Sequence, residues 1–469
     1  MAQAPVPQVI VTPLKAALIH GVAQKVRVLV RVQAPEAPAQ TPDAPDTTQP
    51  PRRLALVIDR SGSMSGPPLA EAVACARHVV DGLRPMDTVA LVVFDNEVQT
   101  LMPARPLGDR RAFHRALDAV SAGGTTDLHG GWQRGADALL ALDEAGALAR
   151  VILLSDGNAN AGLTDADAIA ALCRQAAMRG VSTSTYGLGR HFNEDLMVAM
   201  ARHGGGNHYY GATAADLFEP FAEEFDLLSR LCARDLGLTL TAPDGVRVTV
   251  LNDDLAQPGP DGVFVRLTDL AFGAEAWALV ELAVPAAFAR GPGAPLLTVS
   301  LAARGADGQA LLPVSARLAL DTMPPAAWEA LLEDATVRAR ADEVEAAGLF
   351  RRARRDASRG DWAAVQAMID TVRRRFPGHD WVQEMTSSLE ALAQQTDTMA
   401  FSKEALYSSA RMTRRLSTAD DDGAILALES AKASFLRRKS AQGRSQFVRR
   451  PGSDGGAGGQ GDPGDRGGR

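Results

Sequence analysis

Cysteine is scarce: Cys75, Cys173 and Cys232 are the three among 469 residues, widely separated and set in apolar or helical contexts. So few, so far apart, exclude a disulfide framework and suit buried thiols in a reducing cytoplasm. Long apolar runs are missing too. Nowhere do the about 18 consecutive apolar residues of a membrane-spanning helix occur, and residues 1–26 lack a basic start followed by an apolar core, which argues against secretion. Nor is there an excess of positive charge. With 49 Lys and Arg against 56 Asp and Glu, the net charge of −7 disfavours a general nucleic-acid binder. The locally basic run 437–450 fits a solvated tail. What remains is ordinary globular composition, 46% hydrophobic and 22% charged. At roughly 100 to 200 residues per domain, several domains are expected.

Residues 1–33 contain VIV and VRVLVRV, the second alternating apolar and basic residues with the period of two of a half-buried strand. Residues 34–52, APEAPAQTPDAPDTTQPPR, are too rich in Pro, Thr and Asp to pack and form a linker. Over 53–231, apolar strands (LALVID, TVALVVF, VQTLM, RVILLS, VSTSTYGLG, NHYYG) alternate with amphipathic helices predicted at 68–83, 110–120, 128–142, 165–179, 194–202 and 214–231. That alternation predicts a Rossmann-like α/β domain, a mostly parallel sheet with helices on both faces. Residues 232–322 hold strands without helices, divided by PDG, GPDG and ADG turns, a β-sandwich pattern. The first β segment has no sheet of its own. It is expected to join the sandwich, which makes the α/β domain an insertion.

Residues 323–440 turn helical, with Trp328, Leu331, Leu332 and Ala335 on one face and Trp362, Val365, Ile369 and Val372 on another. The stretch RRARRDASRGDWAAVQAMIDTVRRRFPG is similar to one tetratricopeptide-type helical pair; a lone match makes no repeat, and a helical bundle is expected. Residues 441–469 are a Gly-rich tail with nothing to bury.

Chemistry concentrates at three strand ends. LALVID ends at Asp59 and runs into Arg60-Ser61-Gly62-Ser63, so a carboxylate and two hydroxyls leave the carboxyl end of a central strand, the edge where α/β sheets bind ligands. Gly62 and Gly66 permit a tight loop, and Pro67 suits the first position of the next helix. The loop Gly123-Gly124-Thr125-Thr126-Asp127 offers another hydroxyl at the same edge, from Thr125. VILLSDGNAN ends at Ser155-Asp156-Gly157, which adds a second carboxylate. These are hard oxygen donors. Mg²⁺ takes about six oxygens at roughly 2.0 to 2.1 Å and gives up water reluctantly, so hydroxyls plus two aspartates acting partly through water suit it, with Mn²⁺ or Ca²⁺ as other occupants. An ion so held keeps much of its charge and calls for a carboxylate from outside.

Asp59-x-Ser61-x-Ser63, Thr125 in a GGT loop and Asp156 in SDG together resemble the metal-ion-dependent adhesion site of von Willebrand factor A domains. The resemblance continues through TYGLGRHFNEDLMVAMARHGGGNHYYGATAADL and covers residues 52–231; the flanking β segments are similar in arrangement to inter-alpha-trypsin-inhibitor-like proteins. It implies metal ligation by Asp59, Ser61, Ser63, Thr125 and Asp156, and a protein partner that presents an Asp or Glu side chain. It also implies a scaffold or adaptor role, in bacteria beside AAA+ ATPases or kinase and phosphatase signalling modules. The further resemblance to integrin inserted domains implies a ligand-linked shift of the last helix, here 214–231.

Plainer readings stand beside these. Asp-x-Ser-x-Ser alone occurs often in ordinary turns, and only the three linked segments overturn that reading. Thr126 and Asp127 suit helix capping. His191, His203 and His208 fit no zinc spacing and are expected at the surface. Trp132 suits either a contact aromatic at the rim or a half-buried helix residue. Arg351, Arg352, Arg354, Arg355 and 373–375 suit a solvated helix face. The alternative function is a Mg²⁺-dependent phosphoryl-transfer enzyme with Asp59 as nucleophile and Asp156 as metal ligand. Against it stands the lack of a Gly-rich phosphate loop with Lys and of a general acid beside Asp59, so no enzyme is expected.

Overall fold

A computed structural model describes residues 6–36, 51–142, 148–188, 193–211, 231–252, 256–267, 269–288 and 293–413. The helix expected at 214–231, His191, most of the linker and the tail lie outside these residues, apart from Leu231, which opens a strand.

Strands β1 (Gln8–Pro13), β2 (Ala17–Ile19) and β3 (Gln24–Gln33) come first. The α/β domain follows as β4 (Arg52–Asp59), α1 (Pro67–Gly82), β5 (Thr88–Phe94), β6 (Val98–Pro106), α2 (Arg110–Asp118), α3 (Leu128–Leu140), β7 (Leu148–Ser155), α4 (Ala166–Met178), β8 (Val181–Leu188), α5 (Glu194–His203) and β9 (Gly205–Gly211). Its sheet has the order β6-β5-β4-β7-β8-β9, parallel except for β6, which returns antiparallel to β5 through the turn at Asp95, Asn96 and Glu97. Alternate side chains of β4 feed two cores. Leu54, Leu56 and Ile58 pack with α1 and α2, while Ala55 and Val57 pack with α3, α4 and α5.

The chain returns as β10 (Leu231–Thr241), β11 (Arg247–Val250), β12 (Gln257–Gly259), β13 (Gly262–Arg266), β14 (Leu270–Ala271), β15 (Glu275–Val284), β16 (Leu297–Gly305), β17 (Val314–Leu318) and β18 (Asp321–Met323). Two sheets, β1-β3-β15-β11 and β12-β13-β10-β16-β17, enclose one core, so the α/β domain is inserted into a sandwich built from both sides of it. The period of two in β3 explains its place. Val26, Val28, Val30 and Val32 face the sandwich core, and Leu29 faces the other way.

Helices α6 (Pro325–Glu329), α7 (Ala335–Ser358), α8 (Trp362–Arg375), α9 (Asp380–Gln394) and α10 (Thr398–Thr413) follow. The continuous helix expected from Trp328 to Ala335 is instead broken. Asp334 caps α7 through the Val337 N–H at 2.9 Å and donates its own N–H to Leu14 O at 2.8 Å. That anchor leaves Leu332 in solvent, while the Trp328 indole bonds Ala17 O at 2.8 Å. Val365, Ile369 and Val372 of α8 enter the bundle core as their spacing predicts. Opposite the sandwich core, Leu29, Trp277 and Leu279 pack against Val337, Ala341 and Val344, which seats α7 on the outer face of the β1-β3-β15-β11 sheet. Cys75, Cys173 and Cys232 are buried, and none of the three is in a disulfide. Among the described residues, no helix is long and apolar enough to cross a membrane.

Candidate metal centre

Three loops at the carboxyl edge of the sheet are sewn together by main-chain hydrogen bonds. Gly62 N–H donates to Gly124 O at 3.0 Å and Gly123 N–H to Arg60 O at 2.8 Å, which join the β4 loop to the loop before α3. That second loop meets the β7 loop where Asn160 Oδ1 accepts the Thr126 N–H at 2.7 Å and Thr126 O accepts the N–H groups of Asn160 and Ala161, each at 3.1 Å. Thr125 lies between these two seams and is exposed. Gly124 is required here. Its φ is +73°, and a Cβ would stand 2.1 Å from Asn96 Oδ1.

Asp59 closes β4 with no exposed surface. Its Oδ1 accepts the Ser61 N–H at 2.9 Å and its Oδ2 accepts the Ser155 hydroxyl at 2.6 Å. Register explains the second bond: Ile58 pairs with Leu154, so the next rung sets Ser155 beside Asp59. Burial pushes the Asp59 carboxyl up to about 6; the bonds from Ser155 and Ser61 oppose that rise and the Asp156 charge adds to it. Arg60, the cation of this loop, is engaged elsewhere, with Nε 3.1 Å from Asp95 Oδ2. Asp156 is 6% exposed; its Oδ1 accepts the Asn158 N–H at 3.1 Å and its carbonyl the Asn193 N–H at 2.8 Å. Asn193 in turn caps α5 through Leu196 N–H at 3.2 Å.

Ser61 is buried, Ser63 exposed, and their hydroxyl oxygens are 3.2 Å apart. The two hydroxyls hydrogen-bond to each other, at a spacing close to the about 3 Å between adjacent corners of an octahedron with roughly 2.1 Å bonds. All five residues singled out in the sequence thus sit on one rim. Ser155, Asn160, Asp95 and Asn193 also orient that rim, in roles that the sequence alone does not reveal. A hydroxyl just before Asp156 was the one available signal.

Other expectations meet mixed outcomes. Trp132 belongs to neither the rim nor a half-buried face: it is 1% exposed, and its indole N–H donates to the Thr183 hydroxyl at 3.0 Å. Asp127 caps α3, accepting the Gly130 N–H at 3.0 Å. His203 and His208 are half-buried rather than at the surface, and His208 Nδ1 lies 2.9 Å from Thr185 Oγ1. Among the described residues no three or more His, Cys, Asp or Glu gather to hold a metal.

This order of strands, helices and rim loops is also found in known proteins. A family model of the von Willebrand factor type A domain matches residues 54–223. Those residues form a von Willebrand factor A (VWA) domain. Domains of this family are typically protein-interaction modules without enzymatic activity. The uncharacterized protein YfbK of Escherichia coli (strain K12) is 28% identical over 195 residues, 40% of this chain and 33% of that protein. Human inter-alpha-trypsin inhibitor heavy chain H3 is 28% identical over 188 residues, 37% of this chain and 21% of its own length. The chain therefore spans a third or less of these relatives. Among solved structures, a von Willebrand factor type A protein from Catenulispora acidiphila superposes with a TM-score of 0.69 at 17% identity, over 89% of this chain and 99% of that one. The fold likeness extends past the VWA domain to the sandwich and helices.

Proposed function

We propose that this chain is a cation-dependent protein-binding adaptor whose VWA rim captures an Asp or Glu side chain of a partner. The observation that carries the reading is the buried Asp59 carboxylate near the Asp156 charge, bound by Ser61, whose hydroxyl lies 3.2 Å from that of Ser63, with Arg60 already taken by Asp95. Ser61, Ser63 and Thr125 would ligate directly, while Asp59 and Asp156, their oxygens held by Ser61, Ser155 and Asn158, would act through water. When bound, Mg²⁺ would supply an exposed positive charge with an open position for a carboxylate oxygen. Ser63 and Thr125, exposed at the rim, would flank that carboxylate. Three buried cysteines outside any disulfide suit an intracellular setting. Phosphoryl transfer gains no support, because Asp59 has no exposed surface and both its oxygens are occupied.

Calorimetric titration of the full chain with Mg²⁺, together with pulldown in Mg²⁺ and in EDTA, tests the proposal. Ser61→Ala/Ser63→Ala is expected to weaken cation binding at least about tenfold, the loss that removing even an outer-shell partner brings to a metal site, and to release the same partner that EDTA releases. A wild-type chain that binds no cation, or a partner retained under all conditions, would overturn it.

A further inference from the structure

Helix α7 runs from the sandwich to the VWA rim. Its first half, at Val337, Ala341 and Val344, packs on Leu29, Trp277 and Leu279. Arg354 lies ten residues beyond Val344, about 15 Å along the axis. It grips Asp195 of α5 with two bonds, Nη1 to Oδ1 at 2.8 Å and Nη2 to Oδ2 at 2.7 Å. Helix α5 begins at the carboxyl edge of the sheet, directly after Asn193, whose N–H holds the Asp156 carbonyl. The last turns of α7 therefore stand at the first turn of α5, two residues from the Asn193 that binds the Asp156 carbonyl.

Besides Arg354, three arginines occupy those turns, and Arg359 stands at the cap that ends them. At about 100° per residue, Arg351, Arg355, Arg359 and Arg352 project at about 60°, 100°, 140° and 160° from Arg354, one continuous cationic arc adjoining the α5 contact. Neighbouring arginines are engaged: Arg354 with Asp195, Arg373 with Glu390, Arg375 with Glu345 and Arg340 with Glu343. Among the described residues, the side chains of Arg351, Arg352, Arg355 and Arg359 make no ion pair or hydrogen bond. The helix dipole accounts for basic residues in the last turn, but Arg351 and Arg352 lie about two turns inside the helix.

Resting on the adaptor reading, we infer that this arc is a second contact surface for the same partner, which it engages through an acidic protein segment running on from the captured carboxylate. Charge complementarity sets the occupant. The arc lies beside a site that takes a carboxylate, in a chain of net charge −7, and one helical face is small for a nucleic-acid footprint. Two anchors on one acidic segment raise each other's effective concentration, so loss of either weakens binding while the other persists.

Fluorescence anisotropy of a labelled oligoglutamate peptide with the full chain, at low and physiological ionic strength and in Mg²⁺ or EDTA, tests this. The comparison is wild type against Arg351→Glu/Arg352→Glu/Arg355→Glu/Arg359→Glu. The variant is expected to bind about tenfold more weakly in Mg²⁺ and to lose most of the salt dependence, with an unchanged calorimetric Mg²⁺ affinity and thermal midpoint. Loss in the variant alone, with EDTA harmless to wild type, would uphold the arc and sink the metal reading. Equal affinity of variant and wild type, or no binding by wild type at low ionic strength, would overturn the inference. So would a labelled single-stranded oligonucleotide that binds wild type more tightly than the peptide and is lost in the variant.

Discussion

At the scale of single residues, Asp59 shows what burying a carboxylate costs a fold. Its carboxyl ionises near pH 6 in the folded chain against 3.8 ordinarily, chiefly because burial disfavours the charge. Without a cation, the folded protein holds a proton that the unfolded chain releases as pH rises from 3.8 to about 6, so stability falls across that window and the full penalty applies above it. Asp59→Asn keeps a side-chain acceptor for the Ser61 N–H and removes the charge. In EDTA at about pH 7.5 it should be more stable than wild type by roughly 1 to 3 kcal/mol, the linkage value of such a shift. At about pH 4 the gap should close. Mg²⁺ should raise the thermal midpoint of wild type alone. A variant less stable at both pH values would show that Asp59 is a structural carboxylate.

Among the elements, two helical glycines that look alike in sequence play opposite parts. Gly135 lets α3 lie close on the sheet: an added Cβ would meet Val57 Cγ2 at 2.5 Å and Ala55 Cβ at 3.4 Å. In α7, an added Cβ at Gly348 meets nothing within 4 Å. Gly135→Ala should therefore lower stability by about 1 to 3 kcal/mol through overpacking. Gly348→Ala should raise it by roughly 0.5 to 1 kcal/mol through helix propensity. Urea midpoints measure both, and a stabilised Gly135→Ala would contradict the packing described for α3. The same contrast marks what a sequence can carry. The strands of the VWA domain were legible because apolar runs and period-two alternation are local, and so was the gathering of Asp59, Ser61, Ser63, Thr125 and Asp156, each at the end of such a run. Partners set by register or tertiary contact were not legible. Ser155 meets Asp59 through the β4–β7 rung, Trp132 is swallowed by the sheet through Thr183, and the helix expected across Leu332 breaks because Leu14 holds Asp334.

Across the whole molecule, the VWA domain is tied to the sandwich by a polar seam at the edge opposite its candidate site. Arg150, near the start of β7 with a side chain 1% exposed, reaches Asp269 Oδ2 at 3.2 Å and donates from Nε to the Ser182 hydroxyl at 2.9 Å. Burial pushes the Asp269 carboxyl up, while the Arg150 guanidinium opposes the rise. Arg266 crosses the same seam to Ala177 O at 3.2 Å. A buried pair of this kind contributes little net stability, yet removing one partner strands the other's charge, at about 3 to 5 kcal/mol. Asp269 retains 17% side-chain exposure, so the lower end applies. Arg150→Ala should thus lower the unfolding midpoint markedly. Asp269→Asn in the same chain should recover part of the loss, because the stranded charge is gone. Scanning calorimetry of both single variants and the double variant measures the coupling. If the double variant loses the sum of the singles, the seam is held by shape alone; if it is the more stable of the two Arg150→Ala chains, the ion pair fixes how the VWA domain is mounted. That mounting bears on function, since α7 spans from the sandwich to α5 and a VWA domain free to rock would carry Asp195 away from Arg354.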